Sequence, residues 1–594
     1  MKRKKAGPGF WIFYVLFALI VLSALELNKN TLLGWGLALV LLLGYAVWRA
    51  KKPSVLPVRL CCFALLLAAL FGVFRHTEGP VRLHPAVEGK NGGVTEIVTV
   101  SDGQLTGVYT ADRAVEVYAG IPYAAPPLGE LRWREPQDPK PWEGVLAADS
   151  FAPMAMQPQN SPLYSSLSQI IGYHDYKITL TDNFREPNSE DALYLNIWKP
   201  AGDREGLPVL VYVHGGSLQT GQPWYADYSG EGLARKGVIV VNMGYRLGVF
   251  GFLAAEELQA ESPNGTTGNY GLLDQIKALE WVRDNIAAFG GDPDNVTLAG
   301  ESAGSACVSA LCTSPLAKGL FRRAIGESST VTAPRPAHSF RSLDSALETG
   351  AETMERFGCA SIEEMRALSA ETLAVAADVN HHMTVDGYVL TQTPYEAYRK
   401  GEHNEEAILH GFNAQEGGPF LLMSRTGLKN FESRVRGYFG DCADEVLALY
   451  APATDKEASA MWTDIYSAFF FTHGHACWDR QAAASSIPSY EYYFSRDNGR
   501  LGAWHSGEEV YCYGNIPADS RLYDDADRAL AELFSSYFAN FCATGDPNGE
   551  GLPRWEQGGE GKALMELGDS VGMIENPFRA IDAILDKLQG VAIS

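Results

Sequence analysis

The pentapeptide Gly300-Glu301-Ser302-Ala303-Gly304 sets one hydroxyl between two glycines. Alone, G-x-S-x-G is a weak signal and occurs in many ordinary loops. Its surroundings sharpen it: Val296–Gly300 (VTLAG) reads as a short strand and Glu301–Leu311 as a helix. In a strand–turn–helix the small residues permit a tight, strained turn that holds the Ser302 Oγ clear of the backbone. The helix N-terminus behind it favours the negative charge that develops in acyl transfer. Ser302 is therefore the candidate nucleophile. A serine hydroxyl is scarcely ionised at neutral pH, so a histidine must take its proton and a carboxylate must orient that histidine. In this setting both follow the serine, acid first. The chain has 12 histidines, and position alone does not choose among them.

A second feature lies upstream. His214-Gly215-Gly216-Ser217 follows the apolar run PVLVYV. A glycine-rich turn after such a strand can aim backbone N–H groups at a developing oxyanion.

These turns require a scaffold. Pro208–His214 and Gly237–Met243 are continuous apolar, β-branched runs of the kind buried in a central sheet. Leu272–Phe289 has helical spacing, and Ala407–Phe412 and Tyr490–Ser495 are further strand candidates. Strands separated by helices predict an α/β fold, a mostly parallel sheet with helices on both faces. Ser150–Asn188 and Ser339–Ala460 read as insertions around it, the second largely helical. Trp224, Tyr225 and Tyr228, after the glycine turn, suit either a pocket wall or the core.

The N-terminus is different in kind. Residues 1–76 carry ten Lys and Arg against one acid, Glu26, leaving 38 of the 48 basic and 70 of the 71 acidic residues to the remainder, a net of −32. So acidic a body argues against nucleic acid or anionic lipid as its partner. The apolar runs Phe10–Leu25, Leu32–Trp48 and Leu60–Phe74 are 16, 17 and 15 residues long. Each is a little short of the roughly 20 that span a bilayer, and flanking residues such as Leu27 and Val58 can extend them. A cleaved signal peptide is the alternative for the first run, but no clean cleavage site precedes the second. Lys2, Arg3, Lys4 and Lys5 precede the first run, and Arg49, Lys51, Lys52 and Arg59 separate the second from the third. Positive charge on the cytoplasmic side and three spans put the rest of the chain outside the cytoplasm. The expected layout is an anchor over 1–76, a linker over 77–93 and a catalytic domain over 94–594. Of nine cysteines, Cys61 and Cys62 lie in the third run, and the seven others are irregularly spaced, which argues against a disulfide framework or a zinc site. Cys307 and Cys312 fall in the predicted helix after Ser302 as small core residues.

Three blocks carry a resemblance. Tyr118–Gly144 (YAGIPYAAPPLGELRWREPQDPKPWEG), Ser189–Ile197 (SEDALYLNI) and Asn269–Ser305 (NYGLLDQIKALEWVRDNIAAFGGDPDNVTLAGESAGS) are similar to type-B carboxylesterases, the cholinesterase family. The similarity runs from about residue 94 to 590. It implies an α/β-hydrolase fold and a Ser-Glu-His triad, with Glu416 in HGFNAQEG as the acid and His505 in GAWHSGEE as the base. It also implies oxyanion donors at the backbone N–H groups of Gly216, Ser217 and Ala303. Ser217 stands where the family usually has Gly or Ala. The resemblance calls for no metal and no organic cofactor. His473 and His475 in FFFTHGHACW are the rival histidines, and their H-x-H shows no third metal ligand in the sequence.

Two departures stand out. Ala155 and Ala192 occupy positions where the family often has a disulfide, so the loop 156–191 is expected to be more mobile. Cys359 resembles a family half-cystine, but Glu364 or Met365 stands where its partner would be. This pattern suits a bacterial surface enzyme. The expected activity is hydrolysis of a small-molecule carboxylic ester by a membrane-tethered enzyme. The alternatives are a non-catalytic adhesion protein of the same fold, and an amide or lactone hydrolase using the same triad.

Overall fold

The computed structural model describes residues 6–87, 92–158, 184–374, 381–422, 424–500, 502–559 and 563–591. By its own contacts the chain divides into two units, Met1–His84 with Gln159–Pro187, and Pro85–Pro158 with Asn188–Ser594.

Among its described residues the first unit holds three helices long and apolar enough to cross a membrane. They are α1 (Pro8–Leu27), α2 (Leu32–Lys51) and α3 (Leu56–His76), of 20, 20 and 21 residues. Each outruns its apolar run in the sequence, because Pro opens α1 and α3 at their first turns and Arg49, Lys51, Arg75 and His76 occupy the last turns of α2 and α3. At about 1.5 Å per residue each reaches roughly 30 Å, a bilayer core. Tyr14, Leu42, Leu66 and Leu70 are buried between them, while Ile12, Ile20, Val40, Leu65 and Phe71 face outward. Tyr14 Oη donates to the Leu42 carbonyl at 2.6 Å, and Asn30 Nδ2 donates to the Phe74 carbonyl at 3.0 Å.

The second unit is built on an 11-stranded sheet. Its strands are β1 (Val108–Tyr109), β2 (Val115–Pro122), β3 (Tyr194–Pro200), β4 (Leu207–Val213), β5 (Ile239–Met243), β6 (Gly291–Glu301), β7 (Arg323–Glu327), β8 (Ala407–Asn413), β9 (Ser489–Phe494), β10 (Ala563–Leu567) and β11 (Val571–Glu575). The order is β11-β10-β9-β8-β7-β6-β4-β5-β3-β2-β1. From β5 to β10 every neighbouring pair is parallel, and the strands beyond them at either edge are antiparallel. This is the mostly parallel α/β sheet that the strand and helix spacing predicts, and it agrees with the α/β-hydrolase fold that the resemblance implies.

Side-chain alternation along β4 divides the core. Val209, Val211 and Val213 face one layer with α4 (Tyr270–Asn285) and α5 (Ala303–Leu311). Leu210 and Tyr212 face the other. After α6 (Asp455–Ser467) and α7 (His473–Ala484), α8 (Asp525–Thr544) covers that second face through Phe534 and Phe538, and α9 (Arg579–Gln589) closes the chain. Every residue of α5 is buried, which its small side chains (AGSACVSAL) permit. Cys307, in its middle, and Cys312, just past its end, are fully buried.

Some boundaries differ from the reading. The helix expected over Leu272–Phe289 starts at Tyr270 and turns 3-10 from Ile286, ending where Gly290 adopts a left-handed φ of 85°. Ser339–Ala460 is not one insertion, because β8 crosses the middle of the sheet within it. In the Ser150–Asn188 region, Met154–Ala155 pairs in parallel with Asn188–Ser189. The loop expected to be mobile falls mostly on 159–183, outside the described residues.

Candidate active site

Ser302 sits between β6 and α5 with φ 53° and ψ −123°, a conformation that L-residues rarely adopt. The turn is so tight that a Cβ on Gly304 would lie 1.9 Å from the Val213 carbonyl oxygen, and one on Gly300 would lie 2.6 Å from Gly304. Both glycines are therefore needed by close approach. The Ser302 N–H donates to the Glu327 carbonyl at 2.8 Å, tying the turn to β7. Ser217, Leu218, Ser328 and Ser506, in the loops around it, also have positive φ. Backbone strain is concentrated at this site.

His505 Nε2 lies 2.8 Å from Ser302 Oγ, and His505 Nδ1 lies 2.5 Å from Glu416 Oε2. The other Glu416 oxygen accepts the Asn413 N–H at 2.7 Å, and Glu416 is fully buried. The loops that carry these groups are paired directly. Gln415 N–H donates to the Ala503 carbonyl at 2.8 Å, and Gln415 and Trp504 form a β-bridge. Because β8 and β9 are neighbours in the sheet, their C-terminal loops emerge side by side. Ser302, His505 and Glu416, named from the sequence, come together as one chain of hydrogen bonds.

The site holds more acid than that chain requires. Glu301 Oε1 accepts from Ser506 Oγ at 2.6 Å and lies 3.4 Å from His505 Nε2. Glu508 accepts from Ser328 Oγ at 2.7 Å and from Asn413 Nδ2. Burial opposes the imidazolium, yet Glu301, Glu416 and Glu508 outweigh it and raise His505 to about 9. Burial, and then the negative neighbours Glu416 and Glu301, push Glu508 up to about 8.

On the other side of Ser302 lies the glycine turn. Gly216 has φ 107° and Ser217 φ 56°, so the serine standing where Gly or Ala is usual holds a left-handed conformation. Among the described residues no backbone acceptor takes the N–H groups of Gly216, Ser217 or Ala303. His214 follows β4 and opens the turn. Burial lowers it to about 4, so it is neutral, and it stacks on Tyr245 at 4.5 Å.

Apolar rings wall the site. Phe471 and Phe420 lie 4.7 and 5.1 Å, ring to ring, from His505. Phe471 belongs to a π-helical turn, Ala468–Thr472, that links α6 to α7. Such turns recur at functional sites. Neither ring was singled out in the sequence, although the run FFFTHGH holds one of them. Trp224, Tyr225 and Tyr228 serve the core: Trp224 stacks on Phe151 at 5.6 Å, and Tyr225 meets the buried Tyr228 at 5.8 Å.

The rival histidines lie elsewhere. His475 Nδ1 meets His410 Nδ1 at 3.1 Å. His473 Nε2 bonds Asp586 at 2.9 Å, with Cys477 Sγ at 3.8 Å. The fold thus supplies His473 with two potential metal ligands that the sequence did not reveal. Arg480 donates to both Asp586 oxygens at 2.7 Å and approaches Cys477 at 3.4 Å, so a guanidinium already fills the cationic place. Ala155 and Ala192 line one small cleft with Met156, Leu193 and Phe250.

Buried ion pairs involve each of the three blocks of resemblance. Arg246 clasps Asp274 through Nε and Nη2 at 2.8 and 2.7 Å, and Arg132 clasps Glu190 with two contacts of 2.6 Å. Residues 94–580 match the profile of the carboxylesterase family. A fumonisin B1 esterase of Sphingopyxis macrogoltabida is 34% identical over 479 residues, covering 77% of this chain and 84% of that protein. Carboxylesterase 1C of Rattus norvegicus is 31% identical over 508 residues, covering 80% of this chain and 89% of its own. A crystal structure of a Geobacillus stearothermophilus carboxylesterase superposes with a TM-score of 0.70 at 31% identity, over 82% of this chain and all of the other.

Proposed function

The chain belongs to the carboxylesterase family and is an ester hydrolase, and from that premise we propose that it works through Ser302, His505 and Glu416, in a domain held outside the cytoplasm by its N-terminal helices. Ser302 Oγ attacks the ester carbonyl while His505 Nε2 takes its proton. Glu416 accepts the Nδ1–H and stabilises the imidazolium. The N–H groups of Gly216, Ser217 and Ala303 receive the oxyanion, and loss of one such donor typically lowers the rate by about 10² to 10³. His505 then protonates the leaving alcohol, and water repeats the cycle on the acyl-enzyme to release the acid.

The observation that carries this reading is the 2.8 Å contact between Ser302 Oγ and His505 Nε2, at a serine held in a strained turn. A fluorophosphonate probe tests it. Labelling should map to Ser302 and vanish in Ser302→Ala; labelling that persists in the variant would refute the assignment. The orientation rests on Arg49, Lys51, Lys52 and Arg59 around the α2–α3 connection. Protease added to intact cells should release the esterase domain. Protection of the domain until the membrane is broken would reverse the orientation.

A further inference from the structure

Arg49 lies in the last turn of α2, within a segment hydrophobic enough to cross a bilayer, and is only 3% exposed. Among the described residues its Nε and Nη1 are buried without a hydrogen-bond partner. A buried guanidinium in an apolar helix is costly unless something satisfies it. Its guanidinium sits 4.8 Å from the centre of the Phe10 ring and 5.9 Å from that of Trp48. Ring faces attract the charge but accept none of its directed N–H bonds. Ser54, five residues on in the connection to α3, is also buried, and its Oγ also lacks a partner among the described residues. The Ser54 carbonyl is already taken by Arg59, at 2.8 and 2.5 Å. Unused N–H and O–H donors at the same end of the bundle complement phosphate oxygens.

The surroundings point to a lipid as the source of that phosphate. Exposed Lys51 and Lys52 follow Arg49 at the end of α2, and the acids Glu26 and Glu78 stand at the opposite ends of the helices. Phe10, Trp11, Tyr14, Tyr45 and Trp48 form a contiguous aromatic cluster there, the composition found at headgroup depth. We propose that the helix-end cluster of Arg49 and Ser54 binds the headgroup phosphate of an anionic glycerophospholipid, with Arg49 as the fork and Lys51 and Lys52 supplying the outer positive field. The proposal rests on the reading of α1–α3 as membrane spans.

The test uses the full chain, purified in mild detergent and delipidated. Native mass spectrometry then counts bound phosphatidylglycerol, phosphatidylcholine or inorganic phosphate. Wild type should retain one phosphatidylglycerol in preference to phosphatidylcholine, and Arg49→Met should bind it roughly tenfold more weakly. If Arg49→Met does not elute as a single species, Arg49→Lys takes its place; it keeps the charge, loses the fork, and should also bind more weakly than wild type. Equal retention by wild type and variant, or no preference between the two lipids, overturns the proposal. Inorganic phosphate that displaces the lipid outright would make a free anion the ligand and overturn the lipid assignment. Alkaline extraction of membranes scores the spanning reading separately, because a chain released by it has no spans whatever its lipid preference.

Discussion

Glu416 Oε2 and His505 Nδ1 lie 2.5 Å apart although 89 residues separate them in the chain. Two adjacent strands, β8 and β9, make that contact by delivering their C-terminal loops to the same edge of the sheet. On this arrangement Glu416→Gln keeps the shape and removes the charge that fixes the imidazole tautomer. Turnover of p-nitrophenyl acetate should fall by about 10³ to 10⁴, mainly in kcat. An unchanged kcat would remove Glu416 from the mechanism.

Ser302→Ala should abolish the acyl-enzyme and lower kcat by roughly 10⁴ to 10⁶. Pairing it with His505→Ala should add little, because the residues act as one unit. Steady-state kinetics of the two single variants and the double variant read this directly.

The carboxylates around His505 favour its charged form, and a general base must be neutral. Activity should therefore rise with pH as His505, held up to about 9, loses its proton. Glu301 lies 3.4 Å from Nε2, so Glu301→Gln should move the acid limb of the kcat/KM profile to lower pH. A limb that stays in place would mean that Glu301 exerts no field on the base.

The same groups link stability to pH. His505 binds its proton more tightly when folded, so that contribution is complete below the ordinary imidazole value of 6.5 and is lost as pH rises towards about 9. Glu508, raised from 4.5 to about 8, likewise holds a proton that the unfolded chain releases, and loses its contribution over that interval. Thermal unfolding of the wild type should occur at progressively lower temperature from pH 5 to pH 9, and Glu508→Gln should flatten the slope below pH 8. Calorimetry against pH measures both.

Phe471 packs 4.7 Å from the His505 ring and is the apolar wall closest to the chemistry. Phe471→Ala should lower kcat/KM for longer-chain p-nitrophenyl esters by roughly tenfold while sparing the acetate. A uniform loss across chain lengths would assign the ring to positioning His505 instead.

Gly304→Ala offers a check on the fold. Its new Cβ would press into the Val213 carbonyl, and neither backbone can yield without moving β4 or α5. Destabilisation of at least about 2 kcal/mol follows from such overpacking, seen as a lowered unfolding midpoint in urea.

Much of this was legible locally. Ser302 and the turn at Gly216 could be read without a relative, since a strained βα turn writes its glycines next to the residue it displays. The three helices were legible from apolar length, and eight basic residues set the orientation expected of them. Glu416 and His505 were reached through resemblance, because neither carries a local mark that separates it from other acids and histidines. Phe420 and Phe471 went unmarked because an aromatic residue at a site wall looks like one in the core. Asp586 escaped notice as a partner of His473 because 113 residues separate them, and Cys477, four residues on in the same helix, made no site without it.

Local composition and spacing determined the elements of this protein: which runs could cross a bilayer, which strands would be buried on both faces, and which serine stood in a turn too tight for other residues. Backbone sterics and periodicity act over a few residues, so a linear text records them. Which acid met which histidine, which rings closed around them, and which buried arginine was left with unused donors were decided only when β8 and β9, α6 and α7, and α1 and α2 packed together. Those contacts join residues that are distant in sequence, and their strength depends on burial that no single segment possesses.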